Sequence, residues 1–204
     1  RPPAPDIRLQ RSRAYRLLGR WKNARDDVVA GLNSSKPRSR AEHYSLLSGA
    51  IEVLVKLRQI KPALEYVDEW KRKSSSTPKW KAGALAYRAL LRLEQGREDK
   101  ARDDLEKSFR HGPDPAKEHV DLITLQARLL FRLEDYDRAR EQVDFGLIHS
   151  EDDPDLRRIR AELRRRRGDK DGALRDYDVA LRFRPVGPER AEILERIKSL
   201  DAGE

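Results

Sequence analysis

Apolar and small residues recur along this chain at helical spacing, within segments that return every 34 to 39 residues. Each segment contains an alanine set among charged residues, at Ala24, Ala63, Ala101, Ala139 and Ala173. Repeats of this length are typical of stacked helical hairpins, in which each hairpin buries its apolar stripe only against its neighbours. The pattern therefore predicts an elongated all-α protein built from five hairpins.

Apolar spacing and proline positions predict five pairs of helices and one terminal helix. The pairs are residues 6–21 with 23–34, 40–57 with 62–73, 78–94 with 98–110, 115–133 with 136–149, and 154–167 with 170–183. The corresponding repeats are residues 6–37, 40–75, 78–113, 115–151 and 154–185, which together predict a single array over residues 1–204. Residues 188–200 place Ile193, Leu194, Ile197 and Leu200 on one face, as expected of a capping helix. The opening RPPAPD is too rich in proline to be helical, so residues 1–5 are predicted to be a linker.

A small residue stands twelve positions before most of the five alanines, namely Ser12, Ala89, Ala127 and Ala161. Two helices approach closely only where neither carries a large side chain at the crossing point. These pairs therefore predict where the two helices of each hairpin cross. Ile51 departs from the rule in the second repeat.

Composition agrees with a thin core and a large charged surface. Hydrophobic residues make up 37% of the chain and charged residues 40%. Disorder is the competing interpretation, and the helical periodicity argues against it. The net charge is +9, from 45 Lys and Arg against 36 Asp and Glu. Most of these charges alternate in sign, which indicates solvated helix faces, although the excess would favour acidic partners or polyanions.

The chain shows no sequence signature of catalysis. It has no cysteine, and the histidines His43, His111, His119 and His149 lack the spacing of metal ligands. No phosphate-binding glycine loop or nucleophile motif occurs, and no segment has the length of a membrane-spanning helix. The sequence thus predicts a non-catalytic protein without metal or cofactor, and leaves its compartment open between the cytoplasm and export.

The repeats resemble the tetratricopeptide repeat family over nearly the whole chain. The fifth repeat carries the largest set of family positions: Ala161, Gly168, Asp169, Ala173, Tyr177, Ala180, Leu181 and Pro185. The third repeat supplies Ala89, Gly96, Ala101, Leu105 and Pro113. The resemblance implies a right-handed superhelical α-solenoid of five hairpins and a capping helix, whose first helices line a concave groove. It also implies a scaffold or adaptor for protein–protein interaction.

Helix phase within this frame predicts which side chains face the groove. The candidate ligand-binding residues are Arg13, Arg16, Glu52, Tyr87, Leu90, Arg128, Phe131, Arg132, Arg158, Glu162 and Arg165. Arginines at both ends and an apolar middle would suit a peptide or protein segment with carboxylates and one or two apolar anchors. The alternative is that these arginines are ordinary surface charges paired with Glu52, Glu162 or aspartates.

The run Arg164 to Arg167 is the densest charge cluster and has two interpretations. It is either a polyanion contact or a helix C-terminus, where cations interact favourably with the carbonyl ends. No aromatic residue interleaves with the run, which disfavours nucleic acid as the partner. Self-association through exposed end helices is a third hypothesis besides protein binding and polyanion binding.

Overall fold

A computed structural model describes residues 5–33, 39–74, 78–112, 120–184 and 186–202. Over these ranges the chain forms eleven α-helices and no strand, which confirms the all-α prediction. The helices are α1 Pro5–Leu17, α2 Trp21–Asn33, α3 Arg40–Lys56, α4 Ile60–Lys73, α5 Pro78–Glu94, α6 Glu98–Arg110, α7 Val120–Arg132, α8 Tyr136–His149, α9 Pro154–Arg166, α10 Lys170–Arg182 and α11 Pro188–Asp201.

Most predicted helix boundaries lie within one or two residues of those observed, and two differ for physical reasons. Trp21 begins α2 instead of ending the preceding helix, because the chain has already turned at Gly19. Helix α1 begins at Pro5, inside the segment predicted to be a linker. Proline is tolerated at the first helical position, where its missing N–H has no partner to lose. The predicted helix start at residue 115 and residues 1–4 lie outside the described residues.

Side-chain caps explain where several helices begin. The Ser39 hydroxyl accepts a hydrogen bond from the Glu42 backbone N–H at 3.1 Å, ahead of α3. The Asp153 carboxylate accepts one from the Leu156 N–H at 2.9 Å, ahead of α9. Each cap satisfies an N–H group that the first turn of a helix leaves without an intrahelical partner.

The chain divides into two compact units, Arg1–Gly112 and Pro113–Glu204. In the first unit each of α1 to α5 packs against the next helix, and α3 also contacts α1 and α5. In the second unit α7 packs on α8, α8 on α9, and α9 on α10, while α7 also contacts α9. The terminal helix α11 packs on α10 and buries Ile193 and Leu200 in the same core as Tyr177. The first helices of successive hairpins, α1, α3 and α5 or α7 and α9, are therefore neighbours within their unit.

Each of the five anchor alanines is the fourth residue of the second helix of its hairpin, and all are 0% exposed. Three of the small residues twelve positions earlier, Ala89, Ala127 and Ala161, are also fully buried. Ser12 is buried too, and its hydroxyl donates a hydrogen bond to the Ala24 carbonyl oxygen at 2.9 Å. The hairpins are thus closed by small side chains packed at the helix crossings.

Each hairpin turn contains one residue with positive φ, always five positions before the anchor alanine. Three of these residues are glycines, Gly19, Gly96 and Gly168, with φ between 69° and 78°. The other two are Arg58 and Glu134, with φ of 59° and 61°. A left-handed conformation costs an L-residue free energy that glycine does not lose. The second and fourth turns are therefore locally strained where the other three are not.

Candidate functional site

In the first unit, a polar network joins the three neighbouring first helices α1, α3 and α5. Arg16 of α1 forms an ion pair with Glu52 of α3. The Tyr87 hydroxyl of α5 donates a hydrogen bond to the other oxygen of Glu52 at 3.0 Å. The structure thus brings together three of the residues predicted to face a groove. Because the Glu52 carboxylate holds Arg16, that arginine follows the alternative interpretation of a paired surface charge.

The other predicted residues of the first unit differ in accessibility. Leu90 and Tyr87 are only 4% and 6% exposed, so they present little surface to a ligand. Arg13 on α1 is exposed. The accessible part of this candidate surface therefore consists of charged side chains on α1 and α3.

In the second unit, Glu162 of α9 is the centre of a comparable network. The Tyr177 hydroxyl donates a hydrogen bond to Glu162 at 2.6 Å, and the Arg165 Nε atom donates one at 3.2 Å. Arg196 of α11 lies 3.4 Å from the same carboxylate. Burial, together with the hydrogen bond to Glu162, raises the pKa of Tyr177 above its ordinary value. The sequence analysis identified Glu162 and Arg165 but not Arg196, since it assigned α11 only a capping role.

The remaining predicted residues of the second unit lie on α7 and α9. Arg128 and Arg132 are one turn apart on α7; Arg128 is partly buried and Arg132 is exposed. Arg158 of α9 is partly buried, and its Nε atom has no hydrogen-bond partner among the described residues. Phe131 contacts Tyr136 edge-on, with ring centroids 5.6 Å apart. The face formed by α7 and α9 is thus rich in arginine.

The arginine run at the end of α9 is not a uniform basic patch. Arg164 binds Asp176 at 2.8 Å, Arg165 binds Glu162, and Arg167 lies 3.3 Å from Asp137. Arg166 differs, because its guanidinium carbon lies 4.5 Å from the ring centroid of Tyr136. Three members of the run therefore have carboxylate partners.

Sequence reasoning missed three buried aspartates, each located three positions after an anchor alanine. Asp27, Asp104 and Asp176 lie on the second helices of their hairpins and are buried. Each accepts hydrogen bonds from an arginine sixteen residues earlier on the first helix: Arg11 at 2.6 Å, Arg88 at 2.7 Å and Arg160 at 2.8 Å. Such bidentate pairs clamp the two helices of a hairpin together. The constant spacing of Arg and Asp was the signal that could have revealed them.

The other two repeats replace this clamp with different residues. The fourth repeat carries Gln126 and Gln142 at the two positions, and the second carries Ala50 and Tyr66. In the second repeat a cavity of about 440 Å³ opens between α2 and α4. Its lining includes Val29, Ala30, Leu54, Pro62 and Tyr66, with Arg25, Asp26, Asn33 and Gln59 at its polar side. Arg92, which occupies the position of Leu54 in the third repeat, reaches Asp104 at 2.7 Å. The cavity therefore marks the place where the second repeat lacks its internal ion pair.

The described residues show neither a metal-binding cluster nor a membrane-spanning helix. These residues contain no group of three or more histidine, aspartate or glutamate side chains placed to hold a metal ion. None of the described helices combines the length and the apolar character required to cross a membrane.

Comparison with known proteins places this fold among repeat proteins. Residues 124–188 match the family model described as tetratricopeptide repeat. A thermophilic TPR protein of Thermus thermophilus is similar in structure, with 22% identity, a TM-score of 0.67, and coverage of 97% of this chain and 98% of that one. A tetratricopeptide repeat protein of Parabacteroides merdae has 19% identity, a TM-score of 0.54, and coverage of 97% and 73%.

The chain also resembles part of a protein in the APC/C hetero-tetramer Cut9–Hcn1, with 14% identity and a TM-score of 0.57. That match covers 95% of this chain and 42% of the other. No match was found among curated proteins. At these identities the structural neighbours establish only the α-solenoid fold, and the family model identifies the repeat within residues 124–188.

Proposed function

We propose that the chain is a tetratricopeptide repeat protein that serves as a non-catalytic scaffold or adaptor and binds a peptide or protein segment on the first helices of its hairpins. The match of residues 124–188 to the tetratricopeptide repeat model and the similar fold of a TPR protein support this proposal. Proteins of this family are generally interaction scaffolds without catalytic activity. One structural neighbour was crystallised within a hetero-tetramer, which illustrates that use of the fold. The proposed ligand is an acidic segment, and the proposed surface in the second unit is the face of α7 and α9.

The observation that supports this proposal is the environment of Arg158 on that face. The carboxylates of α9 are already engaged, since Asp155 binds Arg184 at 2.8 Å and Glu162 binds Tyr177 and Arg165. Arg158 has no carboxylate within ion-pair distance among the described residues, and its Nε atom lacks a hydrogen-bond acceptor there. An acidic ligand would give Arg158 a carboxylate partner, since arginine can bind a carboxylate through two parallel hydrogen bonds.

An array of immobilised peptides that carry glutamates around a leucine tests this proposal. We expect the whole chain to bind a subset of acidic peptides and to ignore the same peptides with glutamine in place of glutamate. Replacing Arg128 and Arg132 together with glutamate should weaken binding of the best peptide by roughly tenfold or more, because both reversed charges lie on the proposed face. Circular dichroism should show unchanged helicity.

The matched control reverses two arginines elsewhere in the same unit. Arg175 and Arg182 are exposed on α10, so replacing both with glutamate makes the same change in net charge away from the proposed face. Equal losses in the two double variants would show that only net charge matters. Loss in neither variant would remove the α7–α9 face from the proposal.

Polyanion binding is the alternative function, and a salt series separates the two. Binding to nucleic acid releases counterions, so its affinity should fall steeply between low and physiological salt. A short acidic peptide held by a few arginines should show a shallower dependence. Tight binding of single-stranded nucleic acid at physiological salt, with no acidic peptide bound, would favour the alternative.

A further inference from the structure

Arg166 is the member of the arginine run whose environment is unlike that of the others. Its three neighbours in the run bind Asp176, Glu162 and Asp137. The Arg166 guanidinium instead lies over two aromatic rings, with its central carbon 4.5 Å from the Tyr136 centroid and 5.7 Å from the Phe131 centroid. Arg166 is exposed and has no carboxylate partner among the described residues.

Three helices hold this arrangement in place. Phe131 lies in the last turn of α7, Tyr136 is the first residue of α8, and Arg166 is the last residue of α9. The two rings contact each other edge to face. A guanidinium stacked on an aromatic ring uses its planar face for that contact and keeps its N–H groups in the plane of the fork. The rings therefore orient Arg166 while its hydrogen-bond donors remain available.

The charges nearby favour a carboxylate over an extended polyphosphate. Glu134 and Asp137 flank Tyr136 in the chain, and both are exposed. Both acids repel any anion, so a chain of closely spaced phosphates would lose more than a single carboxylate that reaches only the guanidinium fork. A planar fork also matches the geometry of a carboxylate, which accepts two parallel hydrogen bonds.

We propose that Arg166, held on the Phe131–Tyr136 platform, is a carboxylate-binding group of the second unit and takes an aspartate or glutamate side chain of an acidic peptide partner. This inference rests on the proposed function of the α7–α9 face and assigns Arg166 a specific role in binding the ligand there. The arginine run contains no aromatic residue of its own. The two rings that contact Arg166 come from the preceding repeat, so the sequence of the run does not reveal them.

A double-mutant cycle between the protein and the peptide tests the contact. The probe is the best acidic peptide from the array, labelled with fluorescein, and a set of versions with one glutamate changed to glutamine. For wild-type chain, one of these changes should weaken binding by roughly tenfold, as expected for a charge-assisted bidentate contact. In Arg166→Ala the same change in the peptide should have almost no further effect.

Two further variants separate direct contact from a structural role. Arg166→Lys keeps the charge but not the planar fork, so its affinity should stay close to that of Arg166→Ala. Arg167→Ala is the control, because Arg167 is adjacent and exposed but already paired with Asp137, and it should bind as the wild type does. If Tyr136→Leu retains helicity, it should weaken binding severalfold by releasing the guanidinium from its oriented position.

The outcomes distinguish this inference from the proposed function. If Arg128→Glu with Arg132→Glu weakens peptide binding and Arg166→Ala does not, the inference is wrong and the scaffold proposal stands. Full affinity in Arg166→Lys would show that charge alone acts and would overturn the role of the platform. If the wild-type chain binds none of the acidic peptides, both proposals fail.

Discussion

Removing the charge of Asp176 tests how much the buried ion pairs of a hairpin contribute to the free energy of unfolding. This side chain is 1% exposed and accepts hydrogen bonds from Arg157 at 2.9 Å, Arg160 at 2.8 Å and Arg164 at 2.8 Å. Asp176→Asn keeps the shape of the side chain but leaves the three guanidinium groups around a neutral amide. It therefore isolates the electrostatic part of the hairpin clamp.

The size of the effect follows from how well the arginines can reach water. Removing one partner of a fully buried ion pair costs about 3–5 kcal/mol, because the remaining charge stays buried. Here the side chains of Arg157, Arg160 and Arg164 retain 14%, 19% and 32% of their exposure, so water offsets part of the loss. We expect Asp176→Asn to lower the free energy of unfolding by about 3 kcal/mol. With an ordinary denaturant dependence, that loss moves the urea midpoint down by roughly 1–2 M.

Asp178 provides the control, since it lies on the same helix and pairs with Arg182 at 2.7 Å. Its side chain is 62% exposed, and exposed pairs contribute about 0–1 kcal/mol. Asp178→Asn should therefore leave the urea midpoint almost unchanged. If both variants shift the midpoint equally, or if Asp176→Asn costs less than about 1 kcal/mol, the clamp is not a major source of stability.

The same carboxylate predicts a dependence on pH. Burial acts to raise the pKa of Asp176, but the hydrogen bonds from Arg160 and Arg157 outweigh it and hold the pKa below the ordinary value of 3.8. Because the folded pKa is lower than the unfolded one, the contribution to stability is complete above about pH 4 and is lost as the pH falls through the folded value. The difference in urea midpoint between wild type and Asp176→Asn should therefore be constant near neutral pH and shrink in strong acid.

Other predictions concern the hairpin turns and crossings, each measured by urea unfolding. Glu134→Gly should stabilise the chain by about 0.5–1 kcal/mol, since it removes a left-handed L-residue from the fourth turn. Gly168→Ala makes the reverse change at the same position of the fifth turn and should destabilise the chain by about 1 kcal/mol. The added methyl group meets no heavy atom within 4 Å, so the change in stability would report the backbone conformation alone. If both changes raise, or both lower, the free energy of unfolding, the left-handed conformation at Glu134 does not strain the fourth turn. Ala139→Leu should cost about 1–3 kcal/mol through overpacking at a fully buried crossing, and a neutral result would show that the hairpin has room there.

Local signals explain why the helices could be predicted. Apolar spacing, a capping serine such as Ser39, and a turn glycine such as Gly96 act through residues close in the chain, so the sequence displays them directly. The difference at Trp21 arose because an aromatic residue beside a turn fits either helix by periodicity alone. The helix predicted to begin at Pro62 begins two residues earlier in the structure, at Ile60.

The sequence predicted which arginines lie on the candidate surface, but it did not predict which of them are paired. Arg16, Arg165 and Arg166 look alike in sequence, yet one is paired with Glu52, one with Glu162, and one is stacked on Tyr136. Their partners come from the same helix in one case and from neighbouring repeats in the others. Helix phase indicates which way a side chain points, but not which charges meet it there.

The sequence by itself determined the all-α class, most of the helix limits and the fully buried alanine crossings, because these depend on short-range periodicity and on side-chain size. Only the tertiary structure decided which of the predicted surface arginines are neutralised, as with Arg16 paired with Glu52 and Arg166 left on its aromatic platform. Ion pairing depends on distances of a few ångströms between residues far apart in the chain. Those distances exist only after the hairpins have packed.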